Sequence, residues 1–368
     1  MKKIRQSLIG LVIAIGTLYY TLQNVSYKEL ETSLKNAELI YILPGLVLIV
    51  LSYVTRAYRW QILLRPFKKI PVKEIYSPLM IGFMGNVLPA RAGEFLRAYL
   101  VGKKNDITFS GAFSTIIVER LFDLVCLLAL FVWVFLFNAE IFDPNLTFSG
   151  VSVQTMVVGF GRFCFILVCA LLAFMFLLAW QEVKVKSWVN WFIRPLPEKW
   201  KEKILFMVGE FALGCQIIKD KNALLQIILY SVLTWGLLVA MNYPFYYVFD
   251  LETKTLGSVL ILTVMVCILI TVLPTPAFLG SYNAGVLIAL HEIMGETEVT
   301  AVSFGMVVWA ASFLVIFAGG FYFIFKDHIS VVSLMKAEET ESALENTERP
   351  SGGASRYRQS TAVCDPSL

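Results

Sequence analysis

The chain has 368 residues, 58% of them hydrophobic and 16% charged, with a formal net charge of +4. Its mean hydropathy is +0.71, whereas a soluble domain carries about 25% charged residues. Apolar runs recur near the roughly 20 residues that cross a hydrocarbon core, which excludes a soluble globular class and points to an all-α, polytopic membrane helix bundle.

Residues 1–6 are basic, and the apolar run after them has no small-residue cleavage site, so 7–23 is expected as a retained first span. The second span is expected over 38–56. It ends in the run Arg56-Ala-Tyr-Arg-Trp-Gln-Ile-Leu-Leu, where Arg56 and Arg59 sit beside Tyr and Trp. Snorkelling and aromatic anchoring at a membrane surface explain that run; a place where a lipid headgroup enters is the sharper alternative. An apolar segment over 74–102 follows, broken near its middle at Pro89 and Gly93. Spans are then expected at 108–137 and 153–180, a soluble cytoplasmic insert with tryptophans beside Lys and Arg over 181–223, and a span at 224–249. A second broken segment, 257–290, is interrupted at Pro274, Pro276 and Gly280, and the last span covers 301–325. The transmembrane region is thus expected to fill residues 1–330, with a polar, disordered tail over 331–368.

Lys and Arg gather in the N-terminus, in 56–73, at Lys103 and Lys104, and in 181–223, while 138–152 and 291–300 contain none. Positive charge stays cytoplasmic, so both termini are expected inside. The first broken segment then begins and ends inside, and the second begins and ends outside. Each arm holds about 12–16 residues, short of the roughly 20 that span. Re-entrant hairpins are the preferred reading, and tight spanning pairs the alternative. Two oppositely oriented units, each with a Pro/Gly-broken pair between two long helices, form the pattern of an inverted repeat.

Charge on a helix at bilayer depth costs about 2.5–3.5 kcal/mol, so such residues are expected to pair or to line a cavity. Arg91, Glu94 and Arg97 are spaced three apart on the second arm of the first hairpin. Glu119 and Asp123 share a face of the next helix, with Arg120 between them. Three arginines face three acids. The set reads either as an ion-pair network pinning hairpin to helix or as a polar cavity where arginine forks meet an anionic headgroup. Asn86 and Pro89 lie at the break, Gly93 leaves room for a ligand, and the following helix start is positively polarised. The second hairpin is uncharged and offers Thr275, Ser281, Tyr282 and Asn283. Six scattered cysteines without C-x-x-C spacing read as apolar packing, and two histidines exclude a histidine-rich metal centre. No metal, cofactor or nucleic-acid partner is expected.

At four stretches, RAYRWQILL (56–64), GNVLPARAGEFLRAYL (85–100), VERLFDL (118–124) and LPTPAFLGSYNAG (273–285), the chain resembles the lysylphosphatidylglycerol synthase transmembrane region, a flippase-like membrane family. The resemblance covers most of 1–330. It implies a bacterial or archaeal inner-membrane protein that handles lipids and moves an anionic or modified lipid between leaflets. Some members join this region to a synthase or glycosyltransferase domain. Only about 40 polar residues follow the last span here, below a domain of about 100, so synthase activity is not expected. The family's second hairpin has a Gly pair and, further on, an acid; this chain has Ala277 and Phe278 at the pair and Asn283 at the acid.

Three functions follow from these residues. The leading one is a non-enzymatic lipid translocase whose headgroup enters by Arg56 and Arg59 and meets Arg91, Arg97 and Arg120, held in place by Glu94, Glu119 and Asp123. The others are a membrane-embedded lipid headgroup transferase or phosphatase, and a non-transporting assembly partner. A homo-oligomer is left open.

Overall fold

The computed structural model describes residues 13–23, 25–86, 93–137, 147–148, 151–194, 197–273 and 275–329. Pro89, Arg91, Pro274 and the tail over 331–368 lie outside the described residues. Apart from a two-residue antiparallel pairing of Thr147–Phe148 with Val151–Ser152, every regular element is helical.

The apolar helix α1 (Ile13–Leu22) leads into α2 (Tyr27–Lys35), a polar helix that sequence reading left without an element. Its start is signalled by Ser26 followed by Glu29, which reaches back to the Ser26 N–H at 3.4 Å. Helix α3 (Ile42–Leu64) has 23 residues and corrects the expected span, which was placed to end at Arg56. Nothing in Ala57–Leu64 breaks a helix, and Ala57, Trp60, Ile62, Leu63 and Leu64 are buried. The two arginines therefore sit inside the helix rather than at its end.

Helices α4 (Val72–Gly85) and α5 (Gly93–Asn105) follow, with 14 and 13 residues. At 1.5 Å per residue each is about 20 Å long, short of a core of about 30 Å. They fold back on each other through small residues. A Cβ on Gly93 would lie 1.9 Å from the Gly82 carbonyl oxygen and 2.5 Å from Asn86 Oδ1. The bare Cα of Gly93 is thus required by helix–helix packing, as in other membrane bundles. Helices α6 (Phe109–Phe137) and α7 (Val153–Trp180) have 29 and 28 residues, long enough to span. In the stretch expected as a soluble insert, α8 (Glu182–Phe192) is followed by α9 (Glu198–Cys215), which packs on α6 with Gly214 against Ser114.

Helix α10 (Lys221–Ala240) starts at Asp220, whose carboxylate accepts from the N–H groups of Asn222 and Ala223. It continues after a one-residue break as α11 (Asn242–Val248). Helix α12 (Leu256–Val272) starts at a Thr255–Ser258 capping box, and α13 (Ser281–Leu287) runs on into a π turn over Ile288–Ile293. The last helix, α14 (Glu298–Lys326), has 29 residues. Among the described residues, Leu39–Leu64, Lys221–Val248 and Glu298–Lys326 are long and apolar enough to cross a membrane.

The packing is reciprocal. Helix α3 lies along α10, α4 packs on α14 and α12 on α6. Helix α5 contacts α6, and α13 contacts α14. Glycines permit the close approaches: Gly319 and Gly320 of α14 face Met80 and Met84 of α4, and Gly285 of α13 faces the Val266 backbone of α12. At one end of this assembly the Ser77 hydroxyl donates to Asp327 at 2.6 Å and Lys104 reaches the same oxygen at 3.1 Å, tying α4 and α5 to the end of α14.

At the second break the following helix begins only at Ser281. Residues Pro276–Phe278 form a single 3-10 turn, with Ala277 at φ 53° and Phe278 at φ 59°, and Gly280 is at φ 85°. The turn is held by the Thr275–Ser281 hydroxyl pair at 2.8 Å and by Trp309 Nε1, which donates to the Ala277 carbonyl at 2.9 Å. Gly280 presses on α1, where a Cβ would lie 2.1 Å from the Thr17 hydroxyl. A left-handed conformation costs a non-glycine residue about 1–2 kcal/mol.

Replacing Ala277 by Gly should therefore raise stability by about 0.5–1 kcal/mol, read as a higher melting temperature in detergent. Burial pushes the Asp327 carboxyl up, but the Ser77 hydroxyl and the Lys104 ammonium outweigh it and hold it below the usual carboxylate range. Its contribution is present above the unfolded pKa of about 3.9 and is lost as pH falls through the lower folded value. Asp327→Asn should flatten that acid-side loss in thermal scans between about pH 5 and pH 2.

Candidate functional site

Glu119 and Asp123 lie one turn apart on α6, and this face receives arginines from both sides. Arg59 of α3 donates to Glu119 Oε1 at 2.9 Å and pairs with Asp123 Oδ1 at 2.8 Å. Arg97 of α5 donates to Glu119 Oε2 at 2.5 Å. The side chains of Arg59, Arg97 and Glu119 are each 3% exposed or less, so this inner tier is dry. Arg97 stacks on the Trp60 ring at 3.8 Å, and Trp60 Nε1 donates to Thr115 at 2.9 Å. From α10, Ser231 accepts from Arg59 at 3.2 Å and Trp235 Nε1 donates to Asp123 at 3.3 Å.

The outer tier is half open. Arg120 donates to Glu94 at 2.6 Å and to Asp123 at 3.3 Å, and the side chains of Arg120 and Glu94 are 39% and 35% exposed. The two tiers together tie α3, α5, α6 and α10 into one polar knot. Charge-assisted bonds in a low-dielectric setting are strong, but stripping these ions of water offsets much of the gain. The knot is best understood as specifying one arrangement of helices.

The charges do not cancel. Among the described residues Arg56, Arg59, Arg97 and Arg120 stand against Glu94, Glu119 and Asp123, leaving one positive charge. Arg56 carries it. It makes no ion pair among the described residues, and its buried Nε has no hydrogen-bond partner. Its guanidinium lies 5.4 Å from the Phe83 ring of α4 and within electrostatic reach of Asp123, Arg59 and Arg120, and of Cys267 on α12. The surplus cation thus lies beside α4, at the edge of the knot.

The structure brings Arg59, Glu94, Arg97, Glu119, Arg120 and Asp123 together, with Arg56 beside them. Pro89, Arg91 and Pro274 are outside the described residues. Asn86 caps α4 next to Gly93. Asn283 is 4% exposed and packs on Gly305 of α14, its Oδ1 without a partner; among the described residues it makes no hydrogen bond or ion pair with the arginine cluster. Pro276 and Gly280 shape the second turn. Sequence reading missed Trp60, Ser231 and Trp235, and missed that Arg59 binds both acids. One signal was available: Arg56 and Arg59 are three apart on one helix face, and the apolar pattern of α3 continues past them.

Residues 7–320 match the family described as the lysylphosphatidylglycerol synthase TM region. The chain belongs to that family. It is 24% identical over 326 residues to a UPF0104 membrane protein of Methanothermobacter thermautotrophicus, covering 85% of this chain and 93% of that protein. It is 30% identical over 125 residues to the glycosyltransferase AglD of Haloferax volcanii, covering 33% of this chain and 19% of that protein. A UPF0104 membrane protein of Methanocaldococcus jannaschii is 28% identical over 125 residues, covering 33% and 37%. No solved structure matches. The chain is a membrane protein of a lipid-related family, and the arginine–carboxylate knot lies within the matched residues.

Glu119→Gln leaves Arg59 and Arg97 sharing a neutral partner in a dry site. It should destabilise the fold by about 3–5 kcal/mol, measured by denaturant unfolding in detergent. Combined with Arg97→Met, the loss should be smaller than the sum of the two single losses, because one removes the partner that the other leaves unpaired.

Proposed function

We propose that this protein is a lipid translocase that moves an anionic or modified phospholipid between leaflets, with the headgroup anion held by Arg56 and by the exposed edge of Arg120. The unpaired Arg56 carries the proposal. Arg56 is half-buried, and a guanidinium in a largely apolar setting without a counter-ion is unfavourable; an anion from the bilayer or the water relieves it. Arginine suits phosphate because its planar fork donates two parallel bonds. Arg59 and Arg97, already engaged by Glu119 and Asp123, position the site.

We read the α4/α5 and α12/α13 pairs as re-entrant hairpins related by an inverted repeat. Their short arms and Gly-mediated fold-backs support this. So does the packing: exchanging the first unit (α3, α4/α5, α6) with the second (α10, α12/α13, α14) turns the α4–α14 contact into the α12–α6 contact and leaves the α3–α10 contact unchanged. Such a repeat places a substrate at its interface, and Arg56 of α3 lies beside α4 of the first unit. The Lys and Arg placement supports cytoplasmic termini. Transport is favoured over turnover because both oxygens of Glu119 and of Asp123 are occupied by donors, so neither is free to act as a base.

In proteoliposomes containing phosphatidylglycerol, Arg56→Gln should lower transfer of a labelled anionic lipid at least about tenfold. Arg56→Lys should recover part of it. The melting temperature should hardly change, since Arg56 holds no ion pair. Unchanged transfer, or an equal loss of fold and transfer, contradicts the proposal.

A further inference from the structure

A cavity of about 300 Å³ lies between α6, α7 and α10, beside the charged knot. Phe122, Cys126, Leu172, Leu224 and Ile228 make its walls, and its one polar lining residue is Ser231. That serine accepts from Arg59 at 3.2 Å, and Arg59 pairs with Asp123, the residue after the wall residue Phe122. One end of an otherwise apolar cavity therefore abuts the ion cluster. The other end opens among apolar side chains of α10: Leu225, Ile228, Leu229 and Val232 are all exposed. In a membrane such a mouth faces hydrocarbon.

Resting on the headgroup reading above, we infer that this crevice takes one acyl chain of the transported lipid while the phosphate is held by the arginines. An apolar cavity leaves its lining atoms without dispersion partners and fills with whatever apolar matter can reach it. Here that matter is lipid tail. Ser231 turns its hydroxyl to Arg59 and leaves the crevice surface apolar, so the crevice suits a tail, while the half-exposed Arg120, paired with Asp123 next to the wall residue Phe122, suits the headgroup of the same molecule. A water-soluble anion needs no such crevice, and the lipids that coat any membrane helix would not prefer it. Cargo would then be selected by its tail as well as by its charge.

The test uses the full chain in nanodiscs with phosphatidylglycerol carrying a photoactivatable diazirine midway along one acyl chain, and phosphatidylcholine carrying the same chain. Cross-linked peptides are mapped by mass spectrometry. Label should concentrate in segments 118–126 and 224–232, at least about fivefold more from phosphatidylglycerol. Cys126→Phe fills the crevice and Val232→Phe obstructs its mouth; each should cut that label at least about fivefold. Val232 is exposed, so its replacement is expected to fold even if the buried one does not. Label spread evenly over the lipid-facing helices, or label indifferent to either phenylalanine, overturns the crevice. Label that is local and sensitive to phenylalanine, yet equal from the two lipids, overturns the anionic-headgroup reading and leaves the crevice standing.

Discussion

The structure turns on Glu119, whose two carboxylate oxygens bind two arginines from different helices in a place that water does not reach. Without Glu119, Arg97 would lose its ion pair and Arg59 would keep only Asp123. With it, α3, α5 and α6 are fixed in one relative arrangement, and Asp123 extends that constraint to α10 through Arg59 and Trp235. The cluster thus separates two tasks that sequence alone blends together. Dry pairs set the frame, and half-exposed or unpaired groups remain able to meet a ligand.

That division bears on how a greasy chain tolerates so much charge. Ion pairs in hydrocarbon gain little net stability over apolar packing, so stability alone is a weak reason to keep seven ionisable groups together. One guanidinium beside the first broken helix pair, without an ion pair among the described residues, is a stronger reason. The glycine contacts belong to the same design. Gly82 and Gly93 let the first pair pack closely, and Gly285 does the same for the second pair. The second pair lacks charge, and its turn is held by hydroxyls and by a tryptophan donor instead.

Much of this was legible in the sequence. Helix order followed from apolar run lengths, both breaks from Pro and Gly, and the shared face of Glu119 and Asp123 from their four-residue spacing. The end of α3 was not legible, because Arg, Tyr and Trp look alike at a membrane surface and inside a polar core. Nor was the pairing of Arg59 with Glu119, which joins residues 60 apart in sequence; local spacing carries no information about it. Where this chain departs from its family's Gly pair, the backbone at Ala277 and Phe278 is left-handed. Sequence located the departure, and the dihedral angles supply the reason glycine fits there.

The most direct measurement of the central claim is a cryo-electron microscopy map of the full chain in nanodiscs containing phosphatidylglycerol. Phosphate-shaped density is expected within about 3 Å of the Arg56 guanidinium, with Arg59 and Arg97 still bound to Glu119. Arg56 closed onto a protein carboxylate, with no lipid density beside it, would contradict the account.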